Sequence, residues 1–161
     1  MDLLSLDDYI YGLAIDPSPE HVEELFQAFK KDFIDNPLVI DGCTVVIDMR
    51  PSKEEGFEEY PHTFGKIITR GPKGKRAFDR KRANKIHWIR PILENKDCED
   101  VICFKYLEAD GIVRDYFWFK EGGFLVVMQT INPNLVIVSC FHIDDDRNQK
   151  FYEDRYNNRV K

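Results

Sequence analysis

The chain has 161 residues, of which 43% are apolar and 13% aromatic, the composition of a globular protein and not of a disordered one. That length suffices to bury a hydrophobic core. The first residues, Met1-Asp2-Leu3-Leu4-Ser5-Leu6-Asp7-Asp8, carry no positive region and no long apolar run. The reading is therefore a cytoplasmic protein with no signal peptide, no transmembrane span and no membrane partner. Four cysteines, Cys43, Cys98, Cys103 and Cys140, form no C-x-x-C pair. Cys103 and Cys140 sit in apolar runs, so buried reduced thiols are expected, not a disulfide or zinc framework.

The net charge of −6 is unevenly spread. Residues 1–65 carry a net of −11, residues 66–90 a net of +9 and residues 91–161 a net of −4. A patch of +9 can attract a polyanion at short range, within a Debye length of about 8 Å in physiological salt. Its alternative is a solvated helix face that balances the acidic N-terminal part.

In chain order, Pro17-Ser18-Pro19 precedes a helix expected over Glu20–Ile34, with Ser18 as its cap and Val22, Leu25, Phe26, Phe29 and Phe33 at helical spacing. Asp41-Gly42 between two short apolar runs predicts a hairpin or bent strand, and residues 50–61 read as a loop. After Gly71-Pro72-Lys73-Gly74, a flexible start, one helix is expected from Arg76 to Leu93. At about 100° per residue it places Phe78, Ile86, Ile89, Ile92 and Leu93 on one arc of roughly 120°. Arg82 falls inside that apolar arc, and Pro91 should kink the last turn.

Four strands follow, Val101–Leu107, Arg114–Lys120, Phe124–Thr130 and Leu135–Phe141, joined by hairpin-length turns. Strands this closely joined run antiparallel. Residues Arg147–Asn158 read as a final helix. The fold class expected is α+β: an N-terminal helical part, then a basic amphipathic helix on a four-stranded antiparallel β-meander. It forms one domain over 1–161, with an acidic part over 1–61, a helix-and-sheet core over 62–143 and a tail or helix over 144–161.

Among chemistry-bearing residues there is no P-loop, no H-E-x-x-H, no nucleophile elbow and no zinc spacing. His142 with Asp144–Asp146 could bind a divalent ion, but an acidic surface turn explains them more simply. The reading calls for no metal and no cofactor. What remains is Arg76, Arg80, Arg82, Lys85, His87, His62 and Ser139. Such a set suits RNA cleavage, where the substrate's 2′-hydroxyl is the nucleophile and the protein supplies an acid, a base and positive charge. Arginine's planar fork matches two phosphate oxygens. Each residue also has a structural role open to it: Arg82 could snorkel, His87 could be a half-buried histidine beside Trp88, and Ser139 a small core residue. Sharing a strand face with Leu135, Ile137 and Phe141, Ser139 would project toward a helix packed there.

The run Lys81-Arg82-Ala83-Asn84-Lys85-Ile86-His87-Trp88-Ile89-Arg90-Pro91-Ile92-Leu93 resembles the R-A-x-x-I-x-W-I-x-x-x-L helix of phage- and mobile-element-associated ribonuclease toxins of the barnase–EndoU–colicin–RelE-like group. In that group the helix precedes three or four antiparallel strands, one bearing a tyrosine and the last ending in a pattern like V-T-A-Y or V-T-A-F. Here the matching segments are Asp115-Tyr116-Phe117-Trp118 and Val138-Ser139-Cys140-Phe141. The resemblance spans about residues 62–143. It implies metal-independent RNA cleavage between helix and sheet, with Arg82, His87 and Ser139 as catalytic residues. The basic segment itself offers Arg76, Arg80, Lys85 and Arg90 as contacts to the nucleic acid, and the partners expected are RNA and a cognate antitoxin or immunity protein. Ser139 stands in place of the group's threonine and Phe141 in place of a tyrosine, which leaves open a relative that binds without cleaving. Two further readings remain: a non-catalytic nucleic-acid-binding module, and an immunity- or inhibitor-type protein-interaction domain whose acidic residues 1–65 engage a basic partner.

Overall fold

The computed structural model describes residues 2–72 and 74–161. Lys73, in the expected flexible start before the basic segment, lies outside the described residues. Helix α1 (Pro19–Phe33) begins where the sequence places it, with the Ser18 hydroxyl accepting from the His21 amide at 3.1 Å and Pro19 in the first turn. Strands β1 (Val39–Ile40) and β2 (Cys43–Val46) pair antiparallel across Asp41-Gly42. A short helix, α2 (His62–Ile67), follows directly on the segment 50–61 that reads as a loop in the sequence.

The fold class is α+β, but the basic segment departs from the expected single helix. Ala77–Phe78 is a strand, β4, paired with β3 (Thr69–Arg70). Asp79 then caps a single helical turn, α3 (Arg80–Ala83), by accepting from the Arg82 amide. The helix stops at Asn84, a 3-10 turn follows over Ile86–Trp88, and α4 runs from Ile89 to Glu94. Restarting at Ile89 puts Pro91 in the first turn of α4, where its missing N–H leaves no intrahelical bond unmade. The break itself has a cause in Asn84, which is 5% exposed. Its amide nitrogen donates to the Ile10 carbonyl at 2.8 Å, and its side-chain oxygen accepts from the Ile10 amide at 2.7 Å. Trp88 Nε1 donates to the Asp7 carbonyl at 3.0 Å, so the N-terminal strap over 7–13 is clipped to the interrupted helix at two places.

The sheet is six-stranded and mixed, in the order β1-β2-β8-β7-β6-β5, with β5 (Val101–Leu107), β6 (Val113–Phe119), β7 (Phe124–Ile131) and β8 (Asn134–His142). The last four strands pair antiparallel with their sequence neighbours. The expectation of a sheet of four is corrected at its β8 edge, where Thr44–Val46 of β2 add alongside Asn134–Val136 in parallel. Only the first part of β8 is matched in this way, and α2 and α3 pack beside it.

Two layers cover this sheet. Phe117, Phe119, Phe124, Val126, Met128 and Ile137 face Phe29, Phe64, Ile86, Ile89 and Ile92 of the helices in one dry core. Each such side chain contributes about 1.5–3 kcal/mol when fully buried. On the other face Phe104, Tyr116, Trp118, Leu125 and Val127 meet Tyr152 and Tyr156 of the C-terminal helix α5 (Asp146–Asn157). No residue of α5 is fully buried. Of the two thiols expected inside, Cys140 is buried and Cys103 is exposed on β5. Among the described residues no helix is long and apolar enough to cross a membrane.

Candidate functional site

A shift of register between Val127 and Met128 decides which way Ser139 points. Met128 lies opposite Ile137, but Val127 lies opposite Ser139, so Val138 is an extra residue in β8. Past this bulge the alternation reverses. Leu135 and Ile137 stay in the helical core, while Ser139 and Phe141 turn to the α5 face. The expectation that all four share a face is corrected, and the helix opposite Ser139 is α5.

Between α5 and that face lies a cavity of about 230 Å³. Ser139, 8% exposed, lines it together with Glu108, Arg114, Tyr116, Tyr152 and Arg155. Glu108 begins the β5–β6 turn, and its side chain is 13% exposed. One of its carboxylate oxygens accepts from the Tyr116 hydroxyl, and the other accepts from Arg155 Nη1 at 2.6 Å. The same Arg155 nitrogen donates to the Tyr116 oxygen at 2.6 Å, closing a three-membered network. The Arg155 guanidinium also lies over the Tyr106 ring at 4.6 Å and the Phe151 ring at 4.8 Å, which fixes its plane. Arg114 donates to Asp110 at 3.1 Å, while its Nε is buried with no hydrogen-bond partner. Burial pushes the Tyr116 and Tyr152 hydroxyls up from the usual tyrosine range, so both keep their protons at neutral pH.

Arg82 borders this region from the end of α3. Only 5% exposed, it donates from Nη1 to the Thr69 carbonyl at 2.6 Å and lies 4.9 Å from the centre of the Phe141 ring. Its Nε, 3.8 Å from an Asp79 carboxylate oxygen, is buried without a hydrogen bond. Lys66 of α2 has only cations as charged neighbours that shift it, Arg76, Arg114 and Arg82, and burial first and then their charge lower its pKa. Of these cations Arg114 lines the cavity, while Arg82 stands behind it with Asp79 beside its guanidinium.

The other residues singled out in the sequence go elsewhere. Arg76 donates to the carbonyls of Lys66, Thr69 and Gly71 and stands 3.9 Å from Glu54, closing the end of α2. Arg90 donates to the Asp32 carbonyl at 2.5 Å, donates to the Asn36 carbonyl and pairs with Glu94 at 3.5 Å. His87 lies against Tyr9 of the strap, ring centres 5.3 Å apart, and burial lowers its pKa. It is not among the residues lining the Ser139 cavity. His62, the first residue of α2, is likewise outside it. Arg80 and Lys85 share a second cleft with Lys81 and His142. Much of the +9 segment therefore serves as internal anchoring and is not a free electrostatic footprint.

Glu108 and Arg155 were not found by reading the sequence. They stand 47 positions apart, one in a turn and one in the tail. The only local signal is the spacing of Tyr152, Arg155 and Tyr156, which sets an arginine into an aromatic stripe of one helix face. Among the described residues no group of three or more His, Cys, Asp or Glu is placed to hold a metal ion. Compared with known proteins, the chain matches no family model, no curated protein and no solved structure.

Proposed function

We propose that the chain is a small metal-independent ribonuclease of toxin or phage-defence type, working at the α5 face of the sheet. The observation that carries the reading is the cavity itself: a carboxylate, two arginines, two protonated tyrosines and a buried serine converge on one space. At about 230 Å³ the cavity lies below the roughly 300 Å³ at which ordinary small-molecule pockets begin. It suits a phosphodiester group with part of its ribose, the bases lying outside.

In this reading Glu108 takes the proton of the 2′-hydroxyl, whose oxygen attacks the adjacent phosphorus. The bond from phosphorus to the 5′-oxygen breaks as the 2′,3′-cyclic phosphate forms. Tyr152 gives its proton to the departing 5′-oxygen, and water then relays the proton held by Glu108 back to Tyr152, returning both groups to their starting states. Arg114 and Arg155 balance the charge that grows on the phosphorane, and Ser139 donates a hydrogen bond to a phosphate oxygen. Arg82 is a positioning residue: it holds Phe141 and the end of β3, and adds positive charge from behind. Its support for the anion is through the field, since its own donors face Thr69 and Asp79.

The test is incubation of the full chain with mixed RNA in EDTA, followed by analysis of product ends. Cleavage leaving 2′,3′-cyclic phosphates is expected, and Glu108→Gln should slow it by about 10²- to 10⁴-fold. Intact RNA, or an unchanged rate in Glu108→Gln, would contradict the mechanism. RNA that is bound but not cut would favour the non-catalytic binding module instead.

A further inference from the structure

The second cleft lies where the N-terminal strap passes the end of β8, and encloses about 350 Å³. Arg80 and Lys81 reach it from α3, Lys85 from the turn after it, His142 from the last position of β8, and Asp8 and Asp144 from its rims. We propose that this cleft is a binding site for a phosphate-class oxyanion, held by Arg80, Lys81 and Lys85 with His142 as a fourth donor.

Three observations carry this. The cations converge from a short stretch of chain that the Asn84 clamp on Ile10 and the Trp88 bond to Asp7 hold against the strap, so the cleft does not depend on a mobile loop. The two carboxylates at its rim are replaceable occupants. Asp8 is 57% exposed while its partner Lys85 is 14% exposed and lies 4.7 Å over the Trp88 ring, so the lysine is fixed and the acid is free to swing away. Asp144, 41% exposed, bridges to Lys81 at 2.5 Å and stands 3.7 Å from His142. Both carboxylates are about half exposed and lose little on returning to water, whereas one tetrahedral anion can engage all three cations together. Lastly, His142 Nδ1 is buried and has no hydrogen-bond partner, although its side chain is 16% exposed. Buried polar atoms are nearly always paired; a carboxylate oxygen of Asp144 stands 3.7 Å from this nitrogen, and an anion oxygen that displaces Asp144 would take its place after a turn of the ring that uncovers Nδ1.

The inference stands apart from the ribonuclease reading: the sheet-face cavity could be inert with this cleft still loaded, and the reverse. Free phosphate, a terminal phosphomonoester and a polynucleotide backbone share the required chemistry.

The test follows the imidazole resonances of His142 by NMR in the full chain, titrated with inorganic phosphate at constant ionic strength. Without ligand His142 is held below the ordinary histidine pKa, chiefly by burial and then by Lys85 and Lys81, with Asp144 and Asp79 pulling the other way. Phosphate should bind saturably and raise the His142 titration midpoint, leaving the imidazole resonances of His62, which lies outside the cleft, in place. Lys85→Ala should weaken phosphate binding about tenfold. Arg80→Gln, at an exposed position, should weaken it about threefold without touching the fold. Competition separates the sources. A 5′-phosphorylated oligoribonucleotide alone displacing phosphate points to a terminal monoester, equal displacement by the 5′-hydroxyl form points to the backbone, and displacement by neither points to free phosphate. Equal shifts of His62 and His142, or phosphate binding unchanged in both variants, would overturn the proposal.

Discussion

The two faces of the central sheet are built differently from the same four strands. Toward the helices, Phe117, Phe119, Phe124, Val126 and Met128 close on aliphatic and aromatic partners. Toward α5, Tyr116, Trp118, Leu125 and Val127 alternate with them along the same strands, yet there a carboxylate, two arginines and a serine share the space. The first face is closed by helices whose inner residues are 0–1% exposed, such as Phe29, Phe64, Ile86 and Ile89. The second is closed by a helix without one fully buried residue. The main apolar core and the polar cavity thus lie on opposite sides of one sheet, so that the cavity does not interrupt the core.

That contrast can be broken by measurement. Phe124→Ala on the dry face should cost about 3–5 kcal/mol, read from chemical denaturation, because both the transfer free energy and a cavity are lost. Tyr152→Ala on the α5 face should cost about 1–2 kcal/mol, since that side chain is only partly withdrawn from water. Equal losses at the two positions would erase the distinction. Between these lies Arg82→Ala, expected to cost about 1–3 kcal/mol. The Thr69 carbonyl keeps its bond from Arg76, but Asp79 loses a buried partner and Phe141 its cationic neighbour. A loss of cleavage in that variant must therefore be read beside its denaturation curve.

The smallest effect concerns pH. Burial holds His87 and His142 below the ordinary histidine value of 6.5, so both rings are more readily protonated in the unfolded chain than in the folded one. Their contribution is fully present above about pH 6.5 and is lost as pH falls toward the folded-state values. The denaturation midpoint should drop between about pH 7.5 and about pH 5.5, and replacing both rings by glutamine should flatten that slope. A midpoint that rises on acidification would contradict the placement of both rings.

Local pattern made much of the frame legible. Ser18 and the spacing of Leu25, Phe26, Phe29 and Phe33 define α1, and the strands from Val101 onward fall within one residue or so of their expected ends. What escaped depends on contacts between distant residues. Asn84 breaks the basic helix because it binds Ile10, 74 positions earlier, and nothing in the helical periodicity of 76–93 records that preference. Pairing of β2 with β8 joins segments about 90 residues apart and requires no turn signal. The bulge at Val138 adds one residue to a strand whose alternation otherwise looks regular, and so reverses the side to which Ser139 points. Arg82 was legible as an anomaly, an arginine on an apolar arc, but the sequence could not say that its guanidinium turns to a backbone carbonyl. Glu108 and Arg155 were hidden for the same reason: their meaning lies in each other.

The central claim, that the α5 face is the functional face, is tested most directly by mapping backbone amide NMR shifts as the full chain binds an RNA made uncleavable by 2′-deoxy substitution. The account predicts the largest saturable changes at Glu108, Arg114, Tyr116, Ser139 and Tyr152. RNA binding that leaves these five unmoved would contradict it.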